Sequence, residues 1–201
     1  GHSGLSRDGD AESDMAAVVS WKDWIGGRLN KGVGGRLKGA GAELISGWAS
    51  FEGPKKCTVD TADGKVNIEP ENIILATGSS HIDLPFMPCD DEFVLSSTGA
   101  LDLDKLPKSA AIVGGGYIGL ELGCALAKLG TEVTVVEGLE SILGIMDKEI
   151  RRPLELWLKK HKVSVHTDAL ARGVEIKGRG ASKKAELTFE KEGTEHKVKV
   201  D

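Results

Sequence analysis

An α/β fold is what the 201-residue sequence predicts: a parallel βαβ unit followed by a β-meander, and preceded by a helix, another meander and one buried strand. Three observations predict it. The stretch from Ser109 to Glu137, SAAIVGGGYIGLELGCALAKLGTEVTVVE, sets an apolar run against three consecutive glycines, then a helical pattern, then a second apolar run. The residues before this stretch pass from a helical stripe to short strands. The residues after it do the same. At this length the chain forms one large or two small domains, each with its own core.

Residues 13–40 place Val18, Trp21, Ile25, Leu29, Val33 and Leu37 on one helical stripe, with Ser13 or Asp14 available as the N-cap. Gly26, Gly27, Gly32, Gly34, Gly35 and Gly39 oppose the helix, each by about 1 kcal/mol relative to alanine. Such a helix needs tertiary support, so Trp21 and Trp24 are read as core residues rather than as a stacking pair for a ligand. From Glu43 the segments ELISGWASF, KCTVD and KVNIE read as a meander, with turns at Gly53-Pro54 and Ala62-Asp63-Gly64. NIILATGSS then gives a buried strand, Ile73 to Ala76. It breaks at Thr77-Gly78-Ser79, small residues that either turn the chain or let its backbone approach a ligand. Residues 80–108 form a connector with Pro85, Pro88 and Pro107, and its Asp90-Asp91-Glu92 run reads as a solvated surface.

In the βαβ unit, Ala110 to Val113 is a strand of the kind buried in parallel sheets. Gly114, Gly116 and Gly119 follow in G-x-G-x-x-G spacing. The first permits the tight turn, the second lets a pyrophosphate approach the backbone, and the third lets helix and strand pack closely. Gly119, Gly123 and Ala127 give the helix a nearly bare face for the sheet, and Gly130 ends it as a C-terminal cap. The second strand, Glu132 to Val136, ends in Glu137, about 20 residues beyond the glycines, where an acid accepts hydrogen bonds from an adenosine ribose. Strand, helix and acid together predict a dinucleotide site. No cation follows Glu137 before Lys148, which predicts NAD rather than its 2′-phosphorylated counterpart. A second helix, Asp147 to His161, shows Ile150, Leu154, Leu156 and Leu158, and leads to the strand KVSVHTD. GVEIK, AELTFE and HKVKVD then form the closing meander.

A net charge of -5 with 28% charged residues, and no basic cluster, argues against nucleic acid and anionic membranes as partners. No apolar stretch approaches the ~20 residues of a membrane span, and residues 1–10 lack a signal-peptide hydrophobic region. The composition predicts a soluble protein. Cys57, Cys89 and Cys124 are odd in number and far apart, so they offer neither metal spacing nor a close redox pair. Reduced thiols fit a cytoplasmic protein, or a mitochondrial-matrix one if the source is eukaryotic. His161 and His166 lack partners at ligand spacing, and no metal site is expected.

NIILATGS at 72–79, SSTGAL at 96–101, GGGYIGLELG at 114–123, EVTVVE at 132–137 and ILGIMDKEI at 142–150 occur in an order that resembles the middle of a flavin-dependent pyridine nucleotide-disulphide oxidoreductase. They span about two thirds of the chain, and the member most similar is dihydrolipoamide dehydrogenase. The resemblance implies that residues 1–80 are the C-terminal part of an FAD-binding domain, and that 81–201 are a Rossmann-type NAD-binding domain lacking its last strand. It implies FAD contacts at Ala49, Thr77, Gly78 and Ser79, and NAD contacts at Gly114, Gly115, Gly116, Tyr117, Ile118, Gly119, Glu121 and Glu137. Tyr117 matches a position that in some relatives covers the flavin until nicotinamide displaces it. Glu121 matches a glutamate that supports the flavin side and pairs with a lysine. On pattern alone Tyr117 is equally a packing residue and Glu121 an N-terminal helix acid favoured by the macrodipole.

The family's FAD glycine fingerprint, its C-x-x-x-x-C redox disulphide and its catalytic His-Glu pair have no counterpart in the 201 residues. Gly144 also departs from the family, where proline is common. The expectation is an NAD-binding portion, inactive by itself, of an enzyme that oxidises dihydrolipoamide through a disulphide and FAD and passes hydride to NAD. The parent would work as a homodimer on the lipoyl domain of a 2-oxo acid dehydrogenase complex. Mercuric reductase, soluble transhydrogenase and a stand-alone NAD-binding module are the alternatives.

Overall fold

The computed structural model describes residues 14–179 and 182–201, so an N-cap at Ser13 lies outside the described residues. Contacts divide the chain into two compact units. One holds residues 22–80; the other holds 81–201 together with the start of the first helix up to Trp21.

Helix α1, Met15–Gly39, starts at Asp14, whose carboxylate accepts the Ala17 N–H at 3.0 Å and whose carbonyl accepts the Val18 N–H at 3.0 Å. None of its residues is buried, and Trp21 and Trp24 are 42% and 57% exposed. The reading of these tryptophans as core is therefore corrected. A helical stripe specifies a face to be covered but not what covers it, and Trp24 instead carries the Arg28 guanidinium 4.8 Å above its ring.

In the unit of residues 22–80, strands β1 (Trp48–Gly53), β2 (Lys56–Thr61) and β3 (Gly64–Ile68) form the expected antiparallel meander. β1 begins at Trp48 rather than Glu43. β2 lies in the middle and buries Cys57, Thr58 and Val59. The expected buried strand at Ile73 to Ala76 does not form: residues 73–80 belong to no described strand, and Ile74 and Leu75 are 92% and 70% exposed. An apolar run becomes a buried strand only when neighbours bond both its edges and layers cover both its faces, and no described strand pairs with it.

The other unit begins with the connector, which contains a short helix, α2 (Ser97–Leu101), capped by the Ser96 hydroxyl on the Gly99 N–H at 3.2 Å. Asp90 is more than a solvated charge. Its Oδ1 accepts the N–H groups of Glu92, Phe93 and Val94 at 2.9, 2.8 and 2.7 Å. Burial pushes its pKa up, yet these donors outweigh burial and hold it below the ordinary range.

Strands β4 (Ser109–Val113), β5 (Glu132–Val136) and β6 (Ser164–His166) form a parallel sheet in that order, crossed over by α3 (Tyr117–Leu129) and α4 (Lys148–Lys160). Their alternation assigns each residue to a face. Val133 and Val135 join Leu120, Ile142, Leu158 and Val163 in a core under the helices. Val136 and Ala111 turn to the other face, against Ala169, Leu187 and Phe189. That second layer is an antiparallel meander of β7 (Ala169–Lys177), β8 (Lys184–Lys191) and β9 (Thr194–Val200). The sheet is thus clad by helices on one side and strands on the other. In α4 the covered residues are Leu154, Trp157 and Leu158, whereas Ile150 and Leu156 are exposed.

Candidate nucleotide-binding site

The site lies where β4 gives way to α3. Gly114 takes φ +104, a conformation that a side chain disfavours, and its N–H reaches the Val136 carbonyl at 2.8 Å, carrying the β4–β5 ladder into the turn. A Cβ at Gly119 would collide with the Gly114 carbonyl oxygen and touch Ile112, so the close helix–strand packing required of the third glycine is present. A Cβ at Gly123 would make only ordinary contact with Ile112 and Val133, at 3.5 Å, and Gly130 closes the helix in a left-handed conformation.

Gly116 differs from Gly119. It is the N-cap of α3, extended at φ -75 and ψ 175, and a Cβ there would meet nothing within 4 Å. No side chain caps the helix, so its first N–H groups and the positive end of its dipole face open space. This is the arrangement that receives a phosphate.

Glu137 closes the other side. Its Oε2 accepts the Gly115 N–H at 2.5 Å and its Oε1 accepts the Leu139 N–H at 2.8 Å. Its main chain continues the sheet, donating to His166 O at 2.8 Å. The Leu143 N–H donates to the Gly115 carbonyl at 2.8 Å, and Arg151 Nη1 reaches the Ile142 carbonyl at 3.3 Å. The glycine turn, the acid and the loop after β5 are therefore one bonded assembly. The sequence foretold the position of the acid but not these backbone partners, which depend on how two loops meet. A carboxylate has about four acceptor directions, so two remain open.

Along α3, Tyr117 and Glu121 stand one turn apart beside a cavity of about 430 Å³ that Cys124, Lys128, Leu143 and Met146 also line. Tyr117 is 60% exposed and Ile118 is exposed as well. Burial pushes the Cys124 thiol above its ordinary pKa, with Lys128 opposing, so the thiol is held protonated.

The residues expected at the flavin lie in the unit of residues 22–80. Ala49 sits on β1 opposite Val59, and Thr77, Gly78 and Ser79 are exposed, Gly78 at φ +76. His161 stacks on Trp157 at 3.8 Å, and His166 lies against Phe189 at 4.9 Å. Burial, then Lys191 and His196, hold the His166 pKa down. No described helix is long and apolar enough to cross a membrane.

The family model for pyridine nucleotide-disulphide oxidoreductases matches residues 5–201. A dihydrolipoyl dehydrogenase of Geobacillus stearothermophilus is 39% identical over 188 residues, which is 94% of this chain and 39% of that protein. The dihydrolipoyl dehydrogenase of Pseudomonas aeruginosa is 44% identical over 154 residues, 76% of this chain and 33% of its own length. The chain thus spans a third to two fifths of these curated relatives. Among solved structures, LpdA from Mycobacterium tuberculosis aligns with 94% of this chain and 41% of its own at a TM-score of 0.80 and 24% identity, which shows the shared fold.

Proposed function

The chain belongs to the pyridine nucleotide-disulphide oxidoreductase family, and from that membership we propose that it is the NAD-holding portion of a dihydrolipoyl dehydrogenase. The observation that carries the reading is the open α3 N-terminus at Gly116 with Glu137 bonded across the same turn. The free space at Gly116 and the unshared acceptor directions of Glu137 fit a dinucleotide. The helix N-terminus and the backbone from Gly114 to Gly119 hold the pyrophosphate, and Glu137 holds the adenosine ribose. Tyr117, Ile118 and Glu121 line the way to the nicotinamide end.

NAD supplies a hydride acceptor when bound. The residues of this chain bind it and orient it: Tyr117 covers the flavin until nicotinamide displaces it, Glu121 places a charge beside the contact, and Leu143 and Met146 line the same cavity with apolar surface. In the parent enzyme, dihydrolipoamide thiols reduce a disulphide, and the electrons pass through FAD held in part by Ala49, Thr77, Gly78 and Ser79. The parent acts as a homodimer on the lipoyl domain of a 2-oxo acid dehydrogenase complex. The chain by itself holds NAD but does not turn over lipoamide, since these 201 residues contain no C-x-x-x-x-C pair to exchange electrons with the thiol. Calorimetric titration with NAD tests the binding reading. Saturable 1:1 binding that Gly116→Ala abolishes without unfolding the chain supports it, and no binding at millimolar NAD overturns it.

A further inference from the structure

We propose that His81, Asp83 and Cys89, in the connector ahead of β4, form a binding site for one zinc-class divalent cation. The ring nitrogen, carboxylate oxygen and Sγ of these residues lie within 4.8 Å of one another. His81 Nε2 stands 3.4 Å from Asp83 Oδ1. That separation is the edge of a tetrahedron built on metal–nitrogen and metal–oxygen distances of about 2.0 to 2.1 Å. Cys89 Sγ needs to approach by only about an ångström to complete a third corner with a metal–sulfur distance near 2.3 Å.

The backbone holds this set together before any ion arrives. Asp83 Oδ1 accepts the Cys89 N–H at 3.3 Å, joining the two ends of the 83–89 loop. Inside it, the Met87 N–H returns to the Leu84 carbonyl at 2.8 Å, and Pro85 and Pro88 fix their own φ angles. A loop already closed loses little further freedom on ligation.

The donor set selects the ion. One imidazole, one thiolate and one carboxylate suit zinc, whereas magnesium and calcium take oxygen ligands alone. Three protein ligands leave the fourth position to water or an incoming donor. That position is not closed off: His81 and Cys89 line the wall of a cavity of about 230 Å³, together with Met87, Phe93 and Val94. None of the three residues belongs to the glycine turn, to α3 or to the loop of Glu137, so the cation site is separate from the dinucleotide site. The sequence concealed it because only pairs of cysteines were separated widely, while the loop brings one cysteine to a histidine and an aspartate eight and six residues before it.

The test uses the reduced chain in a non-chelating buffer, titrated with Zn²⁺ in a calorimeter and with Co²⁺ in a spectrophotometer. The expected result is one ion per chain, with a thiolate-to-cobalt charge-transfer band and the intense visible bands of tetrahedral cobalt. Cys89→Ser should remove the charge-transfer band. Cys89→Ser, His81→Ala and Asp83→Asn should each weaken zinc binding by at least the roughly 10- to 100-fold that loss of a mere supporting partner causes. Cys124→Ser should change neither, and circular dichroism should show all four variants folded. Uptake of no ion at micromolar concentrations, which would leave an exposed His–Asp pair beside an inert thiol, overturns the proposal. So does a charge-transfer band that survives Cys89→Ser or disappears in Cys124→Ser.

Discussion

The carboxylate of Glu137 holds the backbone N–H of Gly115 at 2.5 Å, joining the end of β5 to the turn after β4 across 22 residues of sequence. The acid is therefore part of the wall of the candidate site, with acceptor directions to spare.

Glu137 should discriminate between the two nicotinamide dinucleotides. A 2′-phosphate would meet its charge and lose a ribose hydrogen bond, and no arginine stands among the five residues that follow. Calorimetry should show NAD binding at least tenfold tighter than NADP, and Glu137→Ala should narrow that ratio. Equal affinities in the unaltered chain would remove Glu137 from this role. The substitution also leaves the Gly115 and Leu139 N–H groups without their partner, which should lower stability by about 1 to 3 kcal/mol in denaturant titration.

Two glycines of one motif should respond in opposite ways to the same added methyl group. Gly119→Ala drives a carbon into the Gly114 carbonyl and Ile112, so it should destabilise the fold by more than 1 kcal/mol. Gly116→Ala enters open space at an ordinary φ, and its melting temperature should stay within a few degrees of the parent chain. Only its affinity for NAD should fall, because the methyl group occupies the phosphate's place. Equal melting shifts in the two variants would contradict this division.

The chain should have no disulphide reductase activity. Its three cysteines are all free, and none stands beside another at the spacing of a redox pair. Lipoamide-dependent NADH oxidation should stay far below the roughly 10 per second of a typical enzyme. Turnover at that level would refute the expectation.

Purified chain should be colourless. On the proposed reading Ala49, Thr77, Gly78 and Ser79, all exposed, supply only part of the FAD contacts, and no described helix of the unit of residues 22–80 begins after a glycine fingerprint that could anchor its pyrophosphate. A stoichiometric flavin spectrum after desalting would contradict this.

Acid should weaken the closing meander through Glu186. This side chain is buried in β8, its pKa lowered first by the hydrogen bond from Lys177 at 2.5 Å and further by Lys199 and Lys197. A lowered folded-state pKa means that the contribution is present above the ordinary value of 4.5 and is lost as pH falls through the folded value. The Lys177 pKa is raised by the same bond, so at the alkaline end its share is present below 10.5 and is lost as pH rises through the folded value. Melting temperatures from pH 7 to pH 3 should decline in the unaltered chain, and Glu186→Gln should flatten the decline.

What the sequence made legible was whatever is fixed by neighbours in the chain. The apolar runs at 110–113 and 132–136, the glycines between them and the cap at Gly130 follow from local sterics and period, and each stands where expected. Failures came where a residue's state depends on something distant. Trp21 and Trp24 have the spacing of a buried stripe yet remain exposed, because spacing does not supply a covering surface. Asp90 is exposed, as a surface charge should be, but that it also collects three N–H groups depends on how the loop folds around it. Glu137 stands at the end of β5, where the sequence pattern puts it, but its bonds to Gly115 and Leu139 arise from the meeting of two loops.

The segment of Ile73, Ile74 and Leu75 has a practical bearing on handling the molecule. It is a charge-free run rich in β-branched residues, contains no proline, belongs to no described strand, and holds the Ile74 and Leu75 side chains in water. Such a run is a template on which identical copies can stack, edge to edge, into cross-β aggregates. Light scattering from concentrated samples should rise with time, and replacing Ile74 by lysine, which places a like charge on every copy, should slow it.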